Sequence, residues 1–406
     1  MTKKTSWMRP TARPKMSYKH IMALLVAAAL FLGYNGSAMA APGKVTARAA
    51  VVMEQSSHRV LFEKNAHERL PMASTTKIMT ALVALKYGQI DDVVTVGPNA
   101  AGITGSSIYL KAGEKLTLEQ LLYGLMLQSG NDAAVAIAEH VGGSVKGFLA
   151  LMNQTAEEIG AVDSHFTSPN GLDTEGHYTT AYDLALISAV AMENENFRRI
   201  VATKGIRIPY EGVENGRYIK NKNRILSSYE GANGVKTGYT GDAGRCFVGS
   251  AEREGMQLIS VVLNCGPMFE EATALMDEAF AQYDMVPVIT PNLAYGSVQT
   301  EEGIVGEVRY GVPEKITLPL SEEERQRIYT SIRMQAAVDS PVSKGQVIGR
   351  GAVILDGQEL ASFPVITLEE DQRRTYLWYL KLVIERYQWR RNGEESGFKS
   401  IWPWGE

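Results

Sequence analysis

Ser74 and Lys77 stand three residues apart at the head of an apolar run, and a pair of that type can carry out nucleophilic chemistry. The run Ile78-Met79-Thr80-Ala81-Leu82-Val83-Ala84-Leu85 has the spacing of a buried helix, predicted to begin near Ser74. On that helix the two side chains share one face within hydrogen-bond reach, and the serine lies at the positive end of the dipole. A lysine beside apolar surface loses solvation, so its pKa falls until the neutral amine can take the serine proton. Standing alone, such a pair reads first as a helix cap followed by a solvated lysine, since the spacing is common by chance.

Two further polar triplets fall where a cleft could receive them. Thr117-Leu118-Glu119-Gln120 has the form of a capping box opening a helix through Leu121, Leu122, Leu125 and Met126, and a second helix is predicted over Asp132 to Val141. Ser129-Gly130-Asn131 therefore occupies a short turn between two helices. Lys236-Thr237-Gly238 lies on a strand-like run before two β-rich segments, Arg245 to Ala251 and Met256 to Asn264. Between these two triplets, Ser168-Pro169-Asn170-Gly171-Leu172-Asp173 is rich in turn formers.

The elements that must position these groups follow from pattern. Ala49 to Met53 and Arg59 to Phe62 form a predicted hairpin leading to Ser74, with His58 as a turn residue; short strands are expected at Val93 to Val96 and Ser107 to Leu110. Further helices are predicted over Val145 to Ile159, Thr180 to Met192, Asn196 to Ala202 and Glu270 to Tyr283. Strands at both ends with helices between indicate an α+β domain whose terminal strands share one antiparallel sheet. From Val286 to about Thr367, short β-rich runs (Gly303 to Tyr310, Lys315 to Leu318, Ile328 to Met334, Val347 to Leu355, Glu359 to Ile366) alternate with turns, the pattern of a small all-β domain without catalytic residues.

At 406 residues with 45% hydrophobic and 21% charged side chains, the chain can bury two globular cores. Residues 1–40 carry Lys3, Lys4, Arg9, Arg13, Lys15 and Lys19 without an acid, then the apolar run Ile21 to Leu32 and Ala38-Met39-Ala40. That order is a secretory signal peptide cleaved after Ala40, since the apolar core is short of the roughly 20 residues a membrane span needs. The expected location is outside the cytoplasmic membrane. Removing those six from the 41 basic residues leaves 35 against 45 acidic ones, a formal charge of −10 that disfavours nucleic acid as a partner.

The two cysteines, Cys246 and Cys265, fall on or beside the last predicted hairpin. If Ala251 faces Met256, Cys246 faces Ser260 or a neighbour, and the offset to Cys265 is too long for a bridge. Two buried free thiols are expected, and with no ligand cluster beside them neither metal nor cofactor. Arg373 to Arg391 suits a helix whose apolar face includes Tyr376, Leu377, Leu380, Val383, Ile384 and Tyr387, with Arg374, Lys381, Glu385 and Gln388 on a polar stripe. With Trp378, Trp389, Trp402 and Trp404 it reads as an interfacial membrane helix; packing on the β domain or in a dimer is the alternative.

Ser74-Thr75-Thr76-Lys77, Ser129-Gly130-Asn131 and Lys236-Thr237-Gly238, in that order, resemble the penicillin-recognising serine enzymes. Glu63-Lys64-Asn65, Pro71-Met72-Ala73, Pro169-Asn170-Gly171-Leu172-Asp173 and Tyr239-Thr240 narrow the resemblance to the low-molecular-mass D-alanyl-D-alanine carboxypeptidases. It implies a β-lactamase/transpeptidase-like catalytic domain over residues 41–285, an all-β domain over 286–367 and an amphipathic tail over 368–406. It further implies a peptidoglycan pentapeptide ending in D-Ala-D-Ala as substrate and β-lactams as acylating inhibitors.

Under that resemblance Ser74 attacks the penultimate D-Ala carbonyl and Lys77 takes its proton. The backbone N–H groups of Ser74 and Tyr239 form an oxyanion hole. Ser129 relays a proton to the departing amine and Asn131 binds a substrate amide. Lys236 supplies positive potential, and Thr237, in the Lys236-Thr237-Gly238 strand, meets the terminal carboxylate. Some relatives carry histidine where this chain has Tyr239, so only the backbone is assigned there, and Met72 replaces a proline common at its place. A serine β-lactamase is the nearest rival, but Asp173 reads as structural, so slow deacylation of penicillin is expected. The other rivals are a transpeptidase and a non-enzymatic penicillin-binding sensor or scaffold of the cell wall.

Overall fold

A computed structural model describes residues 45–210 and 212–392, with side chains through residue 388. The expected signal peptide, Trp402, Trp404 and the side chain of Trp389 lie outside the described residues. Met1–Val45 and Thr46–Glu406 are separate units, and the fold below is that of the second.

The chain enters as the hairpin β1 (Ala49–Glu54) and β2 (Val60–Lys64), crosses a 3-10 turn at Ala73–Thr76 and runs into α1 (Lys77–Tyr87). Every residue of α1 from Lys77 to Ala84 is buried, as expected of a helix apolar on all sides. Around it follow β3 (Val93–Thr95), β4 (Lys115–Thr117), α2 (Leu118–Leu127), α3 (Asn131–Gly142), α4 (Val145–Glu158), α5 (Ala181–Ala191) and α6 (Glu195–Ala202). The capping box of α2 forms in full: Gln120 N–H donates to Thr117 Oγ1 at 3.2 Å, and Thr117 N–H to Gln120 Oε1 at 2.9 Å.

After β5 (Gly205–Ile208), β6 (Arg217–Lys220) and the single turn α7 (Ile225–Ser228) come β7 (Ala232–Thr240), β8 (Gly244–Arg253) and β9 (Met256–Leu263). These join β1 and β2 in one antiparallel sheet of order β2-β1-β9-β8-β7. Six consecutive residues of both β8 and β9 are buried, because α8 (Met268–Gln282) covers one face and the helical layer the other. β1 pairs with β9 from Ala49↔Leu263 to Glu54↔Leu258, so the first and last strands do share the sheet. β7 is an edge strand, and among the described residues β8 is its one strand partner.

Three sequence expectations for this part of the chain need correction. Ser74 lies on the 3-10 turn, and the α-helix begins only at Lys77. The hydroxyls of Thr75 and Thr76 bond back to the carbonyls of Met72 and Ala73 at 2.6 and 2.8 Å, which tightens the backbone ahead of the helix. Ser107 to Leu110 is not a strand; β3 pairs with β4 instead, and the N–H groups of Ile108 and Leu110 go to the Asp132 carboxylate. The cysteine hairpin turns at Glu254-Gly255 with Arg253 facing Met256, so Phe247 faces Val262, and Cys265 N–H reaches the Arg245 carbonyl at 2.8 Å. The two thiols therefore lie closer than the expected register placed them, yet both are free and buried.

A second all-β layer follows: β10 (Asp284–Ile289), β11 (Gly296–Glu301), β12 (Glu307–Gly311), β13 (Ile316–Leu320), α9 (Glu322–Arg325), β14 (Tyr329–Met334), β15 (Ala337–Asp339), β16 (Val347–Leu355) and β17 (Gln358–Thr367). The run expected from Gly303 shrinks to β12, because residues 302–306 form the turn from β11, a strand too polar to be seen in the sequence. Arg59 links this layer to the first hairpin through Glu324 Oε1 at 2.6 Å and the Pro319 carbonyl. The final helix, α10 (Tyr376–Asn392), leaves Tyr376, Leu377, Val383 and Tyr387 well exposed. Among the described residues no single helix is long and apolar enough to cross a membrane.

Candidate active site

The helical layer and the sheet edge meet at Ser74. Lys77, fully buried, places its Nζ 2.8 Å from Ser74 Oγ, 2.9 Å from Asn131 Oδ1 and 2.5 Å from the Asn170 carbonyl. An amine with two N–H bonds satisfies the last two oxygens and turns its lone pair to the serine hydroxyl. Desolvation holds the Lys77 pKa well below the ordinary lysine value, and repulsion from Lys236 and Lys222 adds to it. Two of the three motifs and the 168–173 loop thus converge on one nitrogen.

Each of these groups is held by its own local chemistry. Ser129, in the turn between α2 and α3, is buried with φ +64°, a left-handed conformation that marks a constrained position. Asn131 begins α3; its N–H donates to the Ser106 carbonyl and its Nδ2 to the Thr104 carbonyl, both at 2.7 Å. Asn170 is presented by a loop in which Ser168 Oγ donates to Asn170 Oδ1 at 2.7 Å. A Cβ at Gly171 would lie 2.0 Å from the Ala73 carbonyl, so only glycine lets this loop reach the nucleophile's turn.

On the other side, β7 passes directly over the 3-10 turn. A Cβ at Gly238 would lie 3.1 Å from both Ser74 N and Thr75 N. Lys236, 1% exposed, donates to the Thr237 carbonyl at 3.0 Å, and burial with repulsion from Lys222 lowers its pKa to about 7. The Tyr239 side chain is 69% exposed. Asp173 accepts a 2.8 Å bond from Thr240 Oγ1, tying the loop to the end of β7.

Three residues of this architecture were not legible as site groups. Asp132, beside Asn131, accepts from Ser107 Oγ at 2.6 Å and from the N–H groups of Ile108 and Leu110, fixing the segment that clamps Asn131. Its signal was an acid in the first turn of a helix. His177 Nδ1 accepts from Thr167 N–H at 3.1 Å, so Nε2 carries the proton donated to Thr76 Oγ1 at 2.8 Å. Lys222 is the third, and no motif contains it.

His177 makes acid a destabilising condition. Burial first, then the field of His165, lowers its pKa from the usual 6.5 to about 4. The unfolded chain binds a proton that the folded one refuses, so this contribution is complete above about pH 6.5 and is lost as pH falls toward 4. The thermal midpoint of the parent is expected to drop across that window, by the equivalent of about 2 kcal/mol, more steeply than that of His177→Gln. Parallel pH curves for the two proteins would refute it.

A family profile described as D-alanyl-D-alanine carboxypeptidase matches residues 35–266, more than half of the chain. The chain belongs to the D-alanyl-D-alanine carboxypeptidase family. A second profile, the penicillin-binding protein 5 C-terminal domain, matches residues 283–373. The carboxypeptidase DacF of Bacillus subtilis is 34% identical over 379 residues, covering 89% of this chain and 97% of its own. DacC of Escherichia coli is 35% identical over 343 residues, covering 80% and 84%. Among solved structures, penicillin binding protein 5 from Haemophilus influenzae superposes with a TM-score of 0.71 at 28% identity, over 82% of this chain and 99% of that one. As a D-alanyl-D-alanine carboxypeptidase the chain is a serine hydrolase, and these comparisons favour neither the β-lactamase nor the sensor reading.

Proposed function

We propose that the carboxypeptidase reaction runs through an acyl-enzyme on Ser74, and the observation that carries this is the buried Lys77 amine 2.8 Å from Ser74 Oγ. Lys77 takes the hydroxyl proton as Ser74 attacks the carbonyl of the penultimate D-Ala. The N–H groups of Ser74 and Tyr239 hold the oxyanion, a reading supported by the close packing of Gly238, the residue before Tyr239, on the Ser74 turn. Ser129 passes a proton to the leaving D-Ala amine; Asn131 contributes its amide to the substrate while its Oδ1 orients Lys77. Lys236 supplies positive charge and Thr237 a hydroxyl to the terminal carboxylate, and water then releases the shortened stem peptide. A β-lactam follows the same route as far as the acyl-enzyme.

The molecule's setting belongs to the same proposal. Residues 1–40 export it as a cleaved signal peptide, residues 41–285 form the catalytic unit, 286–367 the all-β unit and 368–406 the tail. The α10 apolar face lies in the outer surface of the cytoplasmic membrane, supported by the exposure of Leu377, Leu380, Val383 and Ile384. Sedimentation of the chain with anionic lipid vesicles is expected, with loss on Leu380→Glu; equal sedimentation of both would oppose it.

The test of the reaction is D-alanine release from a diacyl-Lys-D-Ala-D-Ala peptide, set beside turnover of penicillin. Release with a long-lived penicilloyl adduct is the expected result. Rapid penicillin hydrolysis without D-Ala release would overturn it, and D-Ala release only when an acceptor amine is present would point to transfer. The Streptomyces K15 DD-transpeptidase, 36% identical over 59% of this chain with a TM-score of 0.57, makes that last outcome worth measuring.

A further inference from the structure

Lys222 stands outside the three motifs, yet its contacts lead into them. Its backbone N–H donates to the Leu127 carbonyl at 3.1 Å, at the end of α2 just before Ser129. Its ammonium donates to Ser106 Oγ, also at 3.1 Å. The Ser106 carbonyl accepts the Asn131 N–H at 2.7 Å, and Asn131 Oδ1 meets Lys77 Nζ at 2.9 Å. A continuous path of bonded residues therefore runs Lys222, Ser106, Asn131, Lys77, Ser74.

Charge adds to that connection. Among the described residues Lys222 forms no ion pair, so no carboxylate cancels its field. Lys77 is faced by Lys236 from β7, Lys222 from the segment before α7, Asp132 from α3 and the neutral His177 from the loop before α5. Two cations against one carboxylate favour a free amine, and that carboxylate, held by the backbone N–H groups of residues 108 and 110, offsets them only in part.

We propose that Lys222 is a positioning residue for acylation: its ammonium tethers the Thr104–Ser106 loop that aims the Asn131 amide at Lys77, and its charge favours the unprotonated amine there. This rests on the Ser74–Lys77 reading above. Lys222 itself never touches the reacting atoms. Because its side chain is exposed, salt screens its field, whereas the bond to Ser106 is local and persists.

The experiment is the rate of Ser74 acylation by labelled penicillin against pH, at low and high salt, for the full chain and for Lys222→Gln, Lys222→Arg and Ser106→Ala, each with a thermal melt. In Lys222→Gln the acid limb is expected to move to higher pH by about half a unit, while Lys222→Arg keeps the parental limb. Ser106→Ala is expected to slow acylation severalfold at every pH without moving the limb. High salt should move the parental limb upward and leave that of Lys222→Gln in place. A parent and Lys222→Gln with one shared limb at low salt would overturn the inference. Should Lys222→Gln fail to fold, an acid limb of the parent that ignores salt overturns it equally. A parent that is not acylated at any pH would instead refute the Ser74–Lys77 reading.

Discussion

Lys77→Met is expected to slow acylation of Ser74 by about 10²- to 10⁴-fold while leaving a folded protein. Methionine fills much of the same volume but offers no lone pair, so the serine proton has no acceptor. The stability balance is close to neutral for two opposing reasons. Losing a fully buried amine removes its desolvation cost, but Asn131 Oδ1 and the Asn170 carbonyl lose their donor, at about 1–3 kcal/mol each. Residual acylation should also lose its acid limb, since the group that titrates there is gone. Stopped-flow acylation with labelled penicillin, beside a thermal melt, reads both. A parental rate in a folded Lys77→Met protein would remove Lys77 from the role of base and leave the Ser74 proton to solvent.

Ser74→Ala carries the largest effect. D-alanine release should fall by at least about 10⁴-fold, and the penicilloyl adduct should vanish from the intact mass. Ser74 is only partly buried, and among the described residues its hydroxyl bonds to the Lys77 amine, so its loss costs that amine one partner while the bonds to Asn131 and Asn170 still hold it. Peptide binding should persist, because Lys236, Thr237 and the outer edge of β7 are untouched. An adduct of undiminished yield in Ser74→Ala would place the nucleophile elsewhere, with Ser129 the first position to examine by peptide mapping.

What could be read from the chain depended on how far each contact reaches along it. Ser74 and Lys77 are three residues apart, and the capping box at Thr117 and Gln120 is equally local, so pattern alone located them. The three motifs were recognisable because each keeps its chemistry within a few residues, although 54 positions separate the partners in the Lys77–Asn131 bond. Lys222 and His177 escaped because their partners, Ser106 and Thr76, lie 116 and 101 positions away and nothing nearby announces them. The nucleophile's turn was read as an α-helix because the backward bonds of Thr75 and Thr76 compete with the ladder without changing the apolar pattern. The cysteine register failed on a turn two residues shorter than assumed, and in a strand pair every such slip moves all later partners.

Pairing β1 with β9 has a consequence for the order of events during synthesis. The strand that begins at Ala49 pairs at once with β2, but its other neighbour, β9, is complete only when Leu263 has been made, and the Gly238 segment that packs on the Ser74 turn belongs to the same late group. Such a topology has a high contact order, and its loop closure must precede any reward from the sheet. A growing chain that holds Ser74 and Lys77 alone has the groups but not the wall against which they act. The active centre is therefore a product of closure, and the nucleophile stays chemically silent until the last strand of the sheet is in place.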